Sequence, residues 1–475
     1  MAGALTEDWC GDGPQPRDGA ARLGATRGQM AVTGALIGGC IAALVAAPMI
    51  AVALAVIAIQ IGFLVCAAWR VVLIVVSRRP TQTAAEPLDL PRYTVLAALH
   101  NEADVAPQLI ARLDQIDYPR DRLEGFLLLE AHDLETIDAV AGADLPAWLK
   151  VLIVPPGSPR TKPRALNFGL AHATGDMVTV YDAEDDPDPL QLREAAARFA
   201  GDIDERLACL QAPLRIRRLN RMPDEAPFLD RQFAVEYAAL FDVTLPAMAQ
   251  LGLPFPLGGT SNHFRAEALR RVGGWDAHNV TEDADLGFRL WRHGWRLGVL
   301  ARPTHETPPG GMEHWLPQRT RWLKGFMQTW GVHTRGFRGL GWRGVLSLVM
   351  TLGAAIAAAG IHALSLAWVA ATVLIAIAAG LPPATPAFAL SVLILGAAAA
   401  WLHCAIGARR AGVPYASADM VMAPAYWSLL SLAFVHAVWR LIREPHAWDK
   451  TPHWRDDAEG EPLEPAAADA GRQAA

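Results

Sequence analysis

The chain has 475 residues, 52% of them hydrophobic and 19% charged, and a net charge of −6. That length allows two or three domains, and so apolar a composition is unusual for a wholly soluble enzyme. A net negative chain with no basic stripe excludes nucleic acid as an expected partner.

Charge is spread unevenly along the chain. Residues 1–29 are polar and Gly-rich, fit a signal peptide poorly, and are expected to form a disordered tail. Residues 30–69 hold no charged side chain. One crossing needs about 20 apolar residues, so residues 30–77 read as two transmembrane helices turning near Pro48. Arg17, Arg22 and Arg27 precede this block and Arg70, Arg78 and Arg79 close it. Basic flanks on both sides fit two cytoplasmic ends, which leaves the following domain in the cytoplasm. Residues 88–343 have ordinary globular composition. A second apolar block, residues 345–439, is broken only by Arg409, Arg410 and Asp419. It reads as three or four crossings, with four preferred because they return the 440–475 tail to the cytoplasm. Four, however, leave Arg409 and Arg410 facing outward, whereas three put that pair inside and the tail outside. The expected product is a multi-pass membrane protein. Cys10, Cys40, Cys66, Cys209 and Cys404 lack metal-ligand spacing and read as small buried hydrophobes.

Within the soluble domain, strand-like and helix-like stretches alternate. The strands are RYTVLAALH (92–100), GFLLLE (125–130), KVLIVP (150–155) and MVTVYD (177–182), with a helix near 105–116 after the first. Short apolar runs separated by helices predict an α/β fold with a parallel sheet covered by helices on both faces. Ligands of such sheets bind beyond the carboxyl ends of the strands. Polar clusters stand at three of those ends: His100-Asn101-Glu102, Glu130-Ala131-His132-Asp133, and Asp182 to Asp188.

Four motifs carry the chemistry. In VTVYDAEDDPDP (178–189), Asp182 and Glu184 can turn toward one hard divalent cation, which one or two carboxylates hold together with substrate phosphates. Asp185, Asp186 and Asp188 serve that site or merely cap the next helix. In RTKPRALNFGL (160–170), Arg160, Lys162 and Arg164 can face a diphosphate or form a solvated surface. In VTEDADLGFRLWRHGW (280–295), Glu282 and Asp283 open a helix; they cap it, or Asp283 acts as a general base. In HWLPQRTRWLKGFMQTWG (314–331), Gln318, Arg321 and Trp322 lie on a helix with an apolar face suited to the membrane interface. Trp315, Trp322 and Trp330 can also line a sugar path.

Taken in order, Asp133, Asp182-Ala183-Glu184, Thr281-Glu282-Asp283 and Gln318-Arg319-Thr320-Arg321-Trp322 resemble the membrane family-2 glycosyltransferases. These are the cellulose-synthase-like enzymes and relatives that make bacterial exopolysaccharides, and WDKTPH (448–453) looks like the tail of their bacteriophage-adsorption-protein-B-type branch. The resemblance implies a Rossmann-like GT-A catalytic domain at the bacterial inner membrane, facing the cytoplasm, and an inverting hexosyltransferase. Asn101, Glu102, Asp133, Lys162, Arg164 and Asp182 would bind the donor, a UDP-sugar. Asp182 and Glu184 would hold Mg²⁺ or Mn²⁺. Asp283 would be the base, with Glu282 beside it. Gln318, Arg321, Trp322, Gly259 and His263 would hold the acceptor glycan and leaving diphosphate. The product would be a β-linked polysaccharide, with export through the membrane helices and secretion partner subunits among the expectations. Glu130-Ala131-His132-Asp133 departs from the usual Asp-Asp-Gly-Ser, and Glu184 replaces the usual second Asp. Competing readings are single-sugar transfer to a lipid-linked acceptor and an inactive scaffold of a secretion complex. A transporter is disfavoured by spans nearly free of ionisable groups.

Overall fold

The computed structural model describes residues 20–78, 89–217, 227–382 and 384–448. Helices α1 (Arg27–Ala46) and α2 (Pro48–Val76) form an apolar hairpin with Ala47 as its only linker. Thr26 and Gln29 close a reciprocal cap at the start of α1, and Pro48 opens α2, where its missing N–H costs nothing. Residues 20–29, part of the tail expected to be disordered, are placed against the rest of the chain. The Ala21 N–H donates to Asp276 Oδ2 (2.6 Å) and Arg335 donates to the Ala20 and Gly24 carbonyls (3.0 and 2.7 Å). Residues 1–19 lie outside the described chain.

The catalytic-type domain contains strands β1 (Tyr93–Leu99), β2 (Leu123–Glu130), β3 (Leu149–Val154) and β4 (Met177–Tyr181), with helices α3 (Ala106–Asp114), α4 (Leu134–Ala141) and α5 (Lys162–His172) between them. These four strands are parallel, in the order β3-β2-β1-β4. Strand alternation explains the two-sided burial. Val95, Ala97 and Leu99 face the cluster holding Leu109 and Leu113 of α3, while Leu96 faces Leu166 and Leu170 of α5.

The second half departs from the all-parallel expectation. After β5 (Asp186–Pro187), α6 (Gln191–Ala200), β6 (Leu207–Gln211) and β7 (Leu214–Ile216), the chain builds α7 (Phe228–Ala239) and α8 (Leu245–Gln250). It returns as β8 (Asn262–Arg265), which pairs antiparallel to both β4 and β6. β8 follows the helices α7 and α8, not a right-handed strand–helix–strand crossover, so its direction is free to reverse. Helices α9 (Ala266–Arg271) and α10 (Glu282–Arg292) follow, then β9 (Arg296–Val299), which completes the sheet as β3-β2-β1-β4-β8-β6-β9. With β10 (Thr304–Glu306), β5 and β7 form a separate sheet in the order β5-β10-β7.

Helix α11 (Met312–Thr334) leads into α12 (Gly341–Leu348) and α13 (Ala354–Ala378), joined by a π turn at 349–353 into one 38-residue run. Helices α14 (Ala384–Ala411) and α15 (Ser417–Arg443) end the described structure. Among the described residues, five helical runs are long and apolar enough to cross a membrane: α1, α2, α12–α13, α14 and α15.

Candidate active site

The parallel strands deliver their carboxyl ends to one place. Asn101 follows β1 in a left-handed backbone conformation (φ 53°), which turns its N–H onto Asp133 Oδ2 (2.5 Å) after β2. The other Asp133 oxygen accepts from Thr136 N (3.3 Å) and caps α4. Burial acts to raise the Asp133 carboxyl, but these hydrogen bonds and His100 hold it below the usual aspartate range. Glu102 is buried, and its N–H is bound by Thr136 Oγ1 (2.9 Å). The expected donor residues of the first two motifs are therefore tied to each other.

Beyond β4, Asp182 pairs with the Lys162 ammonium at the start of α5, and Lys162 also donates to the Gly259 carbonyl (2.7 Å). Asp185 turns inward, accepting from Asp182 N (2.8 Å) and from the Thr260 hydroxyl. Burial, then the charges of Asp182 and Glu184, raise the Asp185 carboxyl well above its usual range. Glu306 at the end of β10 is raised in the same way, by burial and then by Asp185, Glu184 and Asp182. Four acidic side chains thus share one region with Lys162. Asp186 and Asp188 do not join them: Asp186 pairs with Arg217 (3.1 Å), and Asp188 caps Leu190 N (2.9 Å) and binds Arg302 (3.0 Å).

Helix α10 brings Glu282 and Asp283 to the same region. Burial and the Asp283 charge raise the Glu282 carboxyl to about 8, against the pull of Lys162 and Arg321. Burial also raises Asp283, opposed by the Ala284 N–H (2.7 Å to Oδ1), Lys162 and Arg321. Asp283 Oδ2 lies where a Cβ on Gly259 would come within 3.3 Å, so glycine leaves the space in front of this carboxylate. Arg321 reaches from α11 to the Val280 carbonyl (3.4 Å), with its other face on the Trp448 ring (4.8 Å). Gln318, one turn earlier, has its amide oxygen buried without a hydrogen-bond partner among the described residues.

Three expected site residues lie elsewhere. Arg164 is buried against Glu130 (3.0 Å) and the Pro155 carbonyl, so it neutralises a strand-end acid instead of reaching Asp182. His263 sits inside the sheet between Tyr93 OH (2.7 Å) and Gln191 Oε1 (3.0 Å), and burial pushes its pKa down to about 3. Of the GGTSNH stretch, Gly259 and Thr260 in the loop before β8 contact Lys162 and Asp185; by His263 the strand is inside the sheet. Trp322 packs on Phe233 and Tyr237 of α7, under Arg319 (4.5 Å). Trp315 is fully buried against Tyr426, so it lines no open path.

Sequence reasoning missed Glu306, Gln211 and Gly325. Gln211 shapes the glycine loop by accepting from Gly258 N (2.7 Å) and donating to the Thr260 carbonyl (3.0 Å). Gly325 lets α11 press against Thr281, whose side chain fills the place of a Cβ there. A glycine one turn after Arg321, in a long helix, was the available signal, since interior glycine otherwise weakens a helix. Gly325→Ala should cost about 1–3 kcal/mol through overpacking. It should also lower turnover by moving Arg321 away from Glu282 and Asp283, read by thermal unfolding beside an activity assay.

The arrangement fits a hard divalent cation in its donor chemistry. Among the described residues no three His, Cys, Asp or Glu side chains converge as a complete cage. Yet Asp182 and Glu184 supply carboxylate oxygens next to Asp185 and Glu306, whose carboxyls are raised first by burial and then by the neighbouring acids. That suits an ion completed by substrate phosphates and water.

The fold is of the GT-A glycosyltransferase type: the mannosyltransferase PcManGT from Pyrobaculum calidifontis, solved with GDP-mannose and Mn²⁺, superposes with a TM-score of 0.50 at 20% identity. That alignment covers 82% of this chain and 98% of the other. Residues 177–403 match the model of the glycosyl transferase family group 2. It is 28% identical over 245 residues to a probable glycosyltransferase, YdaM, of Bacillus subtilis strain 168, covering 50% of this chain and 56% of that protein. It is 28% identical over 274 residues to a beta-monoglucosyldiacylglycerol synthase of Synechocystis, covering 56% and 54%. The chain spans about half the length of the curated relatives it matches.

Proposed function

We propose that the chain is an inverting, metal-dependent hexosyltransferase that uses a nucleotide-sugar, a UDP-sugar in our reading, at the inner face of a bacterial cytoplasmic membrane. The observation that carries this reading is the meeting of Lys162–Asp182 with Glu282, Asp283 and Arg321 beside a glycine loop. Asp182 and Glu184 would hold Mg²⁺ or Mn²⁺, which supplies charge neutralisation at the donor diphosphate. Lys162 and Arg321 add positive charge there. Asp283 takes the proton of the acceptor hydroxyl as that oxygen attacks the anomeric carbon, and the C–O bond to the diphosphate breaks on the opposite face. One displacement inverts the centre, turning an α-linked donor into a β-linkage. Asn101, Glu102 and Asp133 shape the nucleotide end of the pocket.

The acceptor we favour is the end of a growing β-glycan, held by Gln318 and Arg321. A second reading, transfer to a membrane-lipid hydroxyl, is favoured by the packing of Trp322 into the α7 aromatic cluster and by the glycolipid-synthase relative.

The test is UDP release by the full chain in nanodiscs across a panel of UDP-sugars, with product partition between aqueous polymer and organic-phase lipid. Release with one donor is expected, abolished by chelation and restored by Mg²⁺ or Mn²⁺. Asp182→Asn should reduce release by about 10²–10³-fold, the scale of losing one preorganised electrostatic partner. Release indifferent to both chelation and Asp182→Asn would overturn the metal assignment. Absence of release with every nucleotide-sugar would remove the reaction itself.

A further inference from the structure

Helix α15 has the length, 27 residues, and the apolarity of a membrane span. Its contacts do not fit a crossing. At its first turn, Asp419 accepts from Arg231 at the start of α7 (2.9 and 3.0 Å), and the Asp419 carbonyl accepts from Gln232 (2.8 Å). Just past its last turn, Lys324 of α11 donates to the Ala447 carbonyl (2.7 Å) and Gln328 to the Pro445 carbonyl (2.8 Å). The His446 ring bonds the His278 carbonyl (2.9 Å), in the loop before Glu282. Both ends of α15 are therefore fastened to the same catalytic-type domain. The helix is about 40 Å long at 1.5 Å per residue, so a crossing would carry one end to the far side of a bilayer, away from these partners.

Between its ends, α15 runs alongside α11 in the same direction. Tyr426 meets Trp315 and Arg319 (3.3 and 3.0 Å), His436 meets Thr320 (3.1 Å), and Ala433 and Ala437 enclose Leu323. Asp419, Ala423, Tyr426, Ala433 and Ala437 form the buried stripe. The opposite stripe is apolar and exposed: Val421 70%, Leu432 53%, Val435 66%, Trp439 52% and Ile442 75%. A helix with one stripe on protein and one apolar stripe outward, held at both ends on one side, has the form of an interfacial helix. The surface it fits is continuous with the lipid-facing helices beside it, since α13 packs on α15 through Gly360–Phe434 and His362–Trp427.

We propose that α15 lies in the plane of the membrane surface, its outer stripe docked into the leaflet nearer the catalytic-type domain, and that the chain crosses the bilayer four times. The crossings are α1, α2, α12–α13 and α14. This arrangement removes the conflict in the charge pattern of residues 345–439. Helix α14 returns to the domain's side, where Arg410 donates to the Asp242 carbonyl (2.8 Å) and Ser77 Oγ (2.9 Å). Arg409, Arg410 and the 440–475 tail then share one side with the domain, as the positive-inside rule asks. Three crossings in the second block cannot place both there.

The test uses the full chain, freed of its cysteines and carrying single replacements, in sealed vesicles probed with a membrane-impermeant maleimide. Ile203→Cys marks the domain's side, since Ile203 is 95% exposed on it. Leu381→Cys marks the hairpin between α13 and α14, and Gly471→Cys the tail. Gly471→Cys should label with Ile203→Cys, and Leu381→Cys only after permeabilisation. Gly471→Cys labelling together with Leu381→Cys instead would overturn the proposal. A depth measurement decides independently, with spin labels at Val421→Cys, Leu432→Cys and Ile442→Cys read by oxygen against a polar relaxant. Three equal, shallow depths are expected. A Leu432 label near the bilayer centre between two shallow neighbours would show α15 to be a crossing.

Discussion

Asp283→Asn should reduce turnover by about 10²–10⁴-fold, the range a positioned general base supplies, while leaving the fold intact. The amide oxygen can still accept the Ala284 N–H, so the start of α10 keeps its bond. The pH dependence gives a second readout. Burial raises the Asp283 carboxyl above the ordinary aspartate range, and Lys162 and Arg321 partly hold it down. A base acts only when ionised, so kcat/KM should rise with pH along a limb displaced upward from that of a free aspartate. Lys162→Met removes a charge that favours ionisation and should move this limb to still higher pH. A limb that stays put in Lys162→Met, with Asp283→Asn near wild-type turnover, would assign the proton transfer to another group.

The largest expected effect on stability lies on the far side of α10. Asp285 is fully buried and pairs with Arg289 Nε (2.6 Å) and His333 Nε2 (3.0 Å), joining α10 to α11. Burial would raise its carboxyl, yet Arg289 and His333 hold it below the usual range. Asp285→Ala strands the Arg289 charge, and breaking a buried pair in this way costs about 3–5 kcal/mol. Asp285→Asn, which keeps a hydrogen-bond acceptor, should cost less. Denaturant or thermal unfolding in nanodiscs measures both. A depressed carboxyl contributes stability that is complete above the ordinary aspartate pKa and is lost as pH falls through its lowered value. Wild-type unfolding temperature should therefore drop on acidification more than that of Asp285→Asn.

The parts of this fold that were legible in the sequence are those built from local repetition. Strands β1 to β4 are continuous apolar runs with helices between them, and their carboxyl ends point to the candidate site region. β8 and β9 have four residues each, and β8 pairs antiparallel across some eighty positions of chain, which no local period encodes. Lys162, Asp182, Glu282 and Asp283, singled out in separate motifs, are brought into one region by the fold. Arg164 and His263 were placed wrongly for one physical reason. Side-chain type shows what a group is able to bind, but the direction it takes depends on partners such as Glu130 and Tyr93, which arrive from other strands. Glu306 escaped notice because it stands alone at the end of a three-residue strand. The tail motif WDKTPH falls outside the described residues after Trp448, whose ring lies against Arg321.

The clamp between residues 20–24 and the far end of the domain has a consequence for how the protein is made. Ala21 waits for Asp276, and Ala20 and Gly24 wait for Arg335. At a synthesis rate of about 5–20 residues per second, roughly 15–60 s separate the two halves of that contact on the ribosome. During that interval the α1–α2 hairpin has already left the exit tunnel and can be handed to the insertion machinery. The catalytic-type domain then closes onto an N-terminal segment that is already anchored. A nascent chain stalled before residue 335 emerges should therefore leave residues 20–24 open to protease, and one stalled well beyond it should protect them.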